Sequence, residues 1–265
     1  MEAALSQLAC TPVTVTGSAR TDAGVHALGA ACHVDLLRAS HDVVNASLPV
    51  LPAEALRRGV NHHLARAALP VHVTGCQLVD PRVHARFSAL HRVYHYRLHV
   101  SLESPHPLER LRCWHVRGSA PLDVAAMRAA ASALVGLHDF SAFRGSGCQS
   151  ATPVRTLSQL EVQAAPVWAP FPAPPPWVLP AAAELPTAWA YTITAVAPSF
   201  LYRQVRCLVA ALVAVGLGRL PAGAMGELLA GRDAGCCPAA APAHGLYLAD
   251  VVYGPEALLE PGALT

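Results

Sequence analysis

The sequence contains no lysine, so all 19 of its basic residues are arginine. Arginine carries a planar fork of N–H donors that suits phosphate groups and base edges. A GC-rich codon bias would produce the same composition, so the arginines alone do not establish a nucleic-acid partner. Charged residues make up only 14% of the chain, hydrophobic residues make up 53%, and the net charge is +2. This balance excludes a disordered acidic or basic tail and indicates a folded globular protein.

Metal-binding and redox motifs are also missing. The eight cysteines include no Cys-x-x-Cys pair, and the 14 histidines include no His-Glu-x-x-His arrangement. Four-thiolate zinc sites and dithiol redox sites use such spacings, so we expect no metal site. The cysteines are expected to be reduced, mostly buried thiols of an intracellular protein.

Long hydrophobic runs are absent as well. The longest apolar run extends from Cys207 to Leu217 and is far shorter than the roughly 20 residues that span a bilayer. We therefore expect a soluble chain without a membrane partner. A length of 265 residues suffices for one large domain or two modest ones.

Hydrophobic periodicity predicts a mixture of helices and strands in both halves of the chain. Helices are predicted at residues 53–64, 122–135, 200–216 and 225–229, and residues 136–147 are predicted to form a loop. Strands are predicted at residues 71–79, 92–100, 154–162, 191–196 and 246–253. Because helices and strands alternate without a strict parallel repeat, the pattern favours an α+β fold with mixed or antiparallel sheets flanked by helices.

A charged, proline-bearing stretch at residues 101–112 is the predicted boundary between two halves. The N-terminal half would comprise residues 1–104 and the C-terminal half residues 105–265. The C-terminal half contains eight prolines within residues 166–186. Such a segment suits neither a helix nor a central strand, so it is predicted to be an extended insertion joining two strands.

Three residues stand out as candidates for chemistry. Asp22 lies beside Arg20 and just before Gly24, so it is either an ordinary turn residue or a carboxylate held as a nucleophile or an electrostatic stabiliser. Arg206 precedes a strongly apolar stretch and needs an anionic partner, either in a structural ion pair or in a catalytic one. Tyr94 is either a core tyrosine or a platform on which a base stacks.

A recognisable motif surrounds Asp22, since Ala19 to Ala27 has the sequence ARTDAGVHA. It resembles GRTDAGVHA, the signature of the TruA family of tRNA pseudouridine synthases. Further similar segments follow in the same order along nearly the whole chain: His84-Ala85-Arg86-Phe87, the Arg92-x-Tyr94-x-Tyr96 strand, LVGxHDFxxF from Leu134, FLxxxVR from Phe200, and AHGLYL from Ala243. Several collinear motifs are far more specific than a single one. The sequences of the HDFSAF and FLYRQVR segments are particularly similar to those of the vertebrate tRNA pseudouridine synthase-like branch.

The resemblance implies a role for each matching residue. Asp22 matches the catalytic aspartate, which attacks C1′ of the target uridine or assists departure of uracil, and Arg206 matches its salt-bridge partner. Tyr94 matches the tyrosine that stacks on the target base and helps remove the C5 proton. Arg20 matches the arginine associated with extruding the nucleotide, and we expect His26, Arg86 and Arg203 to contact RNA as well.

The resemblance also implies the wider biochemistry. The fold would be the pseudouridine synthase fold, with an RNA cleft between its two halves. The substrate would be tRNA, with other RNA as a further candidate, and the reaction needs no cofactor. Phosphate contacts would come from the arginines, which supply the positive charge of the surface. The candidates are Arg20, Arg86, Arg92, Arg97, Arg144, Arg155 and Arg203.

Compared with the family, the chain is expected to lack the first strand and its Tyr-Asp-Gly segment. This expectation leaves open a second function, that of a catalytically impaired RNA-binding homologue, and a third reading as a globular scaffold without an RNA role. A homodimer is expected from the bacterial members. The predicted location is mitochondrial or cytoplasmic.

Overall fold

A computed structural model describes residues 1–37, 51–165 and 188–255. The chain divides into two compact units. Unit 1 comprises Met1–Arg20, Ala30–Leu90 and Tyr253–Thr265, and unit 2 comprises Thr21–Gly29 and His91–Val252. The predicted proline-rich insertion at residues 166–186 lies outside the described residues.

The described residues form five α-helices. They are α1 (Glu2–Ala9), α2 (Ala53–Arg66), α3 (Val124–Ser132), α4 (Gln204–Gly216) and α5 (Ala224–Gly231). Helix α3 begins after Asp123, whose carboxylate accepts a 2.8 Å hydrogen bond from the backbone N–H of Ala126 and so caps the first turn. None of these helices has the length and apolar character needed to cross a membrane.

The described strands are mostly short and alternate with the helices. They are β1 (Thr16–Gly17), β2 (His26–Ala27), β3 (Cys32–His33), β4 (Ala89–Ser101), β5 (Trp114–Arg117), β6 (Gly136–Asp139), β7 (Val154–Leu157), β8 (Gln159–Ala165), β9 (Trp189–Ala197) and β10 (Leu246–Tyr253). This mixture of helices and strands confirms the predicted α+β class.

Unit 2 is built on a mixed sheet in the order β2-β10-β4-β9-β8, with β5 also paired to β4. Strands β2 and β10 are parallel, as are β4 and β5, whereas β9 is antiparallel to both β4 and β8. Helix α3 packs against β8 and against α4. The largely buried α4 therefore contributes to the core of this unit.

The long strand β4 contains the two tyrosines of the Arg92-x-Tyr94-x-Tyr96 segment. Tyr94, Tyr96, Leu98 and Val100 alternate with less buried residues, and all four side chains are at most 9% exposed. Successive side chains of a strand point to opposite faces, so this face is the core face of the sheet. Tyr96 donates a 2.7 Å hydrogen bond from its hydroxyl to the carbonyl oxygen of Pro242.

Unit 1 has its own small core between α1 and α2, which includes Leu5, Val60 and Leu64. Gly59 allows the close approach of the two helices, since a Cβ atom there would lie 2.8 Å from a methyl carbon of Leu8. Strands β1 and β3 of the same unit pair antiparallel, with Thr16 opposite His33.

Several predicted elements differ from the structure. Residues 71–79 form no strand, because the backbone N–H and C=O of Val73 bond to the side-chain amide of Asn61 instead of a neighbouring strand. Residues 136–147 are not only loop, since they include β6. The strand predicted at 154–162 is two strands, β7 and β8, and the helix predicted at 200–216 begins at Gln204.

The prediction that the cysteines are mostly buried was wrong. All eight are free thiols, but only Cys113 and Cys207 are buried, whereas Cys32, Cys76 and Cys236 are exposed. Cysteine is a small hydrophobic residue that packs in cores, yet here it also occurs at exposed positions, including Cys32 of the short strand β3. Burial raises the pKa of the Cys113 thiol to about 11, so this cysteine stays protonated.

Candidate active site

Asp22 lies in a tight turn that leads into β2. The backbone N–H of Val25 donates a 3.0 Å hydrogen bond to the carbonyl oxygen of Asp22, which closes the turn. Gly24 has a φ of +81°, a conformation that glycine adopts without strain. The turn therefore places the Asp22 side chain immediately before a strand of the unit 2 sheet.

Arg206 lies in the first turn of α4. The backbone preceding this helix turns sharply, since Arg203 adopts a left-handed conformation with a φ of +61°. The buried side chain of Gln204 accepts a 2.8 Å hydrogen bond from the N–H of Leu201 and stabilises this turn. These local contacts explain why the helix begins at Gln204 and not at Phe200.

Asp22 and Arg206 form an ion pair although 184 positions separate them in the chain. Nη1 of Arg206 donates a 2.7 Å hydrogen bond to Oδ2 of Asp22, and Nε donates a 2.6 Å hydrogen bond to the carbonyl oxygen of Ala241. The side chains are 13% and 21% exposed for Arg206 and Asp22, respectively. One guanidinium thus fixes the carboxylate relative to the rest of unit 2, while the carboxylate keeps some access to solvent.

Tyr94 belongs to the same surroundings. Its ring is only 9% exposed and contacts the ring of Phe200 edge-to-face, with 5.3 Å between ring centroids. Burial raises the pKa of the Tyr94 hydroxyl, the guanidinium of Arg92 opposes this rise, and the negative charge of Asp22 adds to it. The hydroxyl is therefore protonated at neutral pH. The Asp22 carboxyl group, its guanidinium partner and a protonated phenol thus lie close enough to interact, a grouping of the kind used in nucleophilic or electrostatic catalysis.

The other predicted site residues occupy different places. Arg203 precedes Arg206 by three residues and is exposed. Its guanidinium lies 4.9 Å from the ring centroid of Tyr202. Arg20 and Arg86 are exposed residues of unit 1. His26 lies in β2 of unit 2, where its ring stacks on Tyr247 and its Nε2 is 2.8 Å from the carbonyl oxygen of Leu111.

Four other arginines that were candidates for phosphate contacts bond to acceptors within the protein. Arg97 pairs with Glu109, and Arg92 donates to the carbonyl oxygen of Pro198. Arg144 and Arg155 donate to carbonyl oxygens in residues 148–154. Guanidinium groups held in this way position loops. All four side chains are half-buried, whereas Arg20, Arg86 and Arg203 are exposed.

The structure adds two contacts that sequence reasoning did not identify. One is the carbonyl oxygen of Ala241, which accepts from Arg206. A backbone acceptor leaves no mark on the side-chain pattern, so no sequence signal could have indicated it. The other is the contact between the rings of Phe200 and Tyr94. A sequence signal for Phe200 did exist, since Phe200 begins the segment that contains Arg206. Across residues 1–37, 51–165 and 188–255, no group of three or more His, Cys, Asp or Glu side chains could hold a metal ion.

Comparison with known proteins identifies the family of this chain. A sequence model of the family described as tRNA pseudouridine synthase matches residues 130–254. The chain is 39% identical to tRNA pseudouridine synthase A of Cereibacter sphaeroides, an alignment that covers 96% of this chain and 85% of that protein. It is 39% identical to the protein of the same name from Rhodospirillum centenum, with coverages of 96% and 88%. The protein of that name from Allorhizobium ampelinum is 36% identical, with coverages of 100% and 88%. With this identity over nearly its whole length, the chain belongs to the TruA family of tRNA pseudouridine synthases.

Proposed function

We propose that the chain isomerises uridine to pseudouridine in tRNA, with Asp22 as its catalytic residue. The observation that carries this proposal is the ion pair of Asp22 with Arg206, at 2.7 Å, within a chain of this family. The enzyme is an isomerase, because uridine and pseudouridine have the same composition.

The reaction breaks the N1–C1′ bond of uridine and forms a C5–C1′ bond. Asp22 either attacks C1′ and is later displaced or stabilises positive charge on the ribose as uracil leaves. The freed uracil turns, C5 bonds to C1′, the C5 proton is lost and N1 gains a proton. No electrons are gained or lost, so the atoms balance without a redox partner.

Tyr94 would provide the surface on which the target base stacks and a group that handles the C5 proton. Taking a base out of a stack costs a few kcal/mol, and stacking on an aromatic side chain recovers about 1–3 kcal/mol. Because the Tyr94 hydroxyl is protonated, it accepts the C5 proton only as it passes its own proton to a neighbouring base or to water.

Tyr94→Phe separates these two roles. The ring remains, so we expect the tRNA dissociation constant to change by less than about 2-fold. The hydroxyl is lost, so single-turnover formation of pseudouridine should slow by about 10²-fold, within the range of general acid–base catalysis. Tyr191→Phe is a matched control, since it removes a buried hydroxyl that bonds to the N–H of Leu122. Equal rates for Tyr94→Phe and the unchanged protein would show that the hydroxyl takes no part.

Arg20, Arg86 and Arg203 would contact the RNA, because their side chains are exposed. Arg203 is the best placed of the three, since Arg206 follows it by less than one helical turn. Guanidinium groups contact phosphates in a salt-dependent manner, so tRNA affinity should fall as ionic strength rises.

Release of tritium from tRNA labelled at C5 of uridine tests the proposed function. The unchanged protein should release tritium into water and produce pseudouridine in equal amounts, without added cofactor. Salt-sensitive tRNA binding without tritium release would instead identify a catalytically impaired RNA-binding homologue. If the protein neither bound tRNA nor released tritium, both readings would be contradicted.

Finer predictions from the sequence extend this proposal. They are the closer likeness to the vertebrate tRNA pseudouridine synthase-like branch, action on other RNA, a homodimer, and a mitochondrial or cytoplasmic location. The likeness rests on the HDFSAF and FLYRQVR segments. Sedimentation of the purified protein would test the homodimer, and pseudouridine mapping of total RNA would test the substrate range.

A further inference from the structure

Residues 107–113, which we name the strap, have an unusual arrangement of side chains. The carboxylate of Glu109 is buried, whereas Leu108 and Leu111 are 53% and 66% exposed. Acidic side chains are almost never fully buried unless they are paired. The strap therefore directs the Glu109 carboxylate and the Cys113 thiol towards the protein. Its leucines and arginines are exposed: Leu108, Arg110, Leu111 and Arg112.

Glu109 is paired with Arg97 of β4. Nη2 of Arg97 donates a 2.6 Å hydrogen bond to Oε2 of Glu109, and Nη1 approaches Oε1 at 3.3 Å. Nη1 also lies 3.4 Å from the carbonyl oxygen of Arg112. Desolvation of both charges offsets much of their attraction, so such a pair contributes little to stability but constrains geometry. Here it holds the strap against the central sheet.

Two backbone carbonyls of the strap accept hydrogen bonds from aromatic side chains. Tyr247 of β10 donates from its hydroxyl to the carbonyl oxygen of Arg112 at 2.6 Å. His26 of β2 bonds through Nε2 to the carbonyl oxygen of Leu111 at 2.8 Å. A carbonyl oxygen only accepts, so Nε2 of His26 carries the proton.

The same two aromatic rings contact each other. His26 and Tyr247 are stacked, with 4.7 Å between ring centroids and 20° between ring planes. Strand β2 pairs with β10 over two residues, and just beyond it the N–H of Leu28 donates a 2.8 Å hydrogen bond to the carbonyl oxygen of Leu248. The His26 side chain supplies further support through one hydrogen bond and one stacked face.

His26 follows Asp22 by four residues, and the closed turn from Asp22 to Val25 lies between them. A displacement of β2 would consequently move the carboxylate relative to Arg206. Misplacement of a reacting group by about 1 Å can lower a rate by about 10²-fold. Arg206 constrains the carboxylate from one side, and β2 constrains the turn that carries it from the other.

We propose that His26 is a positioning residue that holds Asp22 in its reactive place through the strap, and that Glu109 fixes the strap. This inference rests on the proposed function. It differs from the sequence-based expectation that His26 contacts RNA, because Nε2 and one face of the ring already bind protein groups.

Two substitutions of His26 test the proposal. His26→Phe keeps an aromatic face for Tyr247 but removes the Nε2 donor, and kcat should fall by about 10- to 100-fold while KM for tRNA stays within about 2-fold. His26→Gln restores an amide donor at similar reach, and it should recover most of the lost kcat. In an Asp22→Asn background, His26→Phe should cause no further loss, since the carboxylate that it positions is gone.

Tyr247→Phe and Glu109→Gln provide independent tests. The first removes the hydroxyl bond to Arg112 and keeps the ring, and the second keeps the size of the side chain but removes the charge that pairs with Arg97. Both substitutions should lower kcat by a larger factor than they change KM for tRNA. Glu54→Gln is the matched control, because it breaks an ion pair with Arg57 at the surface of unit 1 and should leave kcat unchanged.

Two outcomes would overturn the proposal, provided that both variants retain the unfolding temperature of the unchanged protein. The first is an unchanged kcat in His26→Phe, whether or not KM rises, and the second is no recovery of kcat in His26→Gln. If either His26 variant fails to fold, Tyr247→Phe tests the proposal instead. A fall in kcat with little change in KM would support it, and an unchanged kcat would overturn it. Absence of tritium release by the unchanged protein would instead refute the proposed function, so the two failures are distinguishable.

Discussion

Asp22→Asn should reduce pseudouridine formation by at least about 10⁴-fold, which is the scale of loss when an essential catalytic side chain is removed. An amide neither attacks C1′ effectively nor balances positive charge on the ribose. Its oxygen can still accept a hydrogen bond from Arg206, so the fold and the arrangement of the site should persist. We therefore expect the dissociation constant for tRNA to change little, as measured by filter binding at fixed salt.

The matched control for this substitution is Asp35→Asn. It makes the same chemical change at an exposed carboxylate in unit 1, so it should leave tritium release unchanged. A fully active Asp22→Asn protein would contradict the proposed mechanism. A loss of tRNA binding that parallels the loss of activity would show that Asp22 acts in binding instead of chemistry.

Arg206→Lys should lower the rate of pseudouridine formation by about 10²- to 10³-fold, the usual effect of removing one organised donor at a reacting charge. Arginine donates at the same time from Nη1 to Asp22 and from Nε to the carbonyl oxygen of Ala241. The lysine ammonium is a compact charge on a flexible stem, and it cannot reproduce this planar fork. The positive charge is retained, so any loss reports on geometry.

Arg232→Lys provides the control for Arg206→Lys. The Arg232 side chain is 68% exposed and lies 3.4 Å from the carboxylate of Asp139, so it makes a surface ion pair of little energetic weight. Its substitution should change neither rate nor unfolding temperature. If Arg206→Lys retained the full rate, the fixed geometry of the ion pair would have no role in catalysis.

The regular elements could be predicted because their residues repeat with a clear period. Strand β10 coincides with the predicted residues 246–253, and β4 contains the predicted residues 92–100 with its alternating core face. Helix α2 likewise contains the predicted residues 53–64. Within these elements, burial of one face is encoded locally, so the pattern is visible without knowledge of neighbours.

Elements that are set by particular hydrogen bonds or by a single backbone conformation could not be predicted in the same way. Residues 71–79 have the apolar content of a strand, but the amide of Asn61 bonds to both backbone groups of Val73. Helix α4 starts at Gln204 because the chain reverses at Arg203. Two hydrogen bonds in the first case and one backbone conformation in the second outweigh the hydrophobic pattern.

For the active site, the identity of the residues was accessible from motifs, since Asp22, Tyr94 and Arg206 stand in segments that resemble one family. The sequence left open whether Asp22 is a turn residue and whether Arg206 is in a structural ion pair. In the structure Asp22 closes a turn and also binds Arg206, so its local and long-range roles coexist. The roles of these residues in the reaction stay predictions for the experiments above.

The α+β class, the family and the candidate site residues were accessible from the order of residues alone, because periodicity and motif spacing are properties of neighbouring positions. Three-dimensional packing adds the 2.7 Å ion pair across 184 positions and the burial of Tyr94 beside it. It also adds the inward-facing Glu109 in a stretch that has the composition of a charged linker. These features arise from contacts between segments that are remote in the sequence. The contacting groups are backbone atoms or single side chains, so they produce no periodic pattern in the sequence.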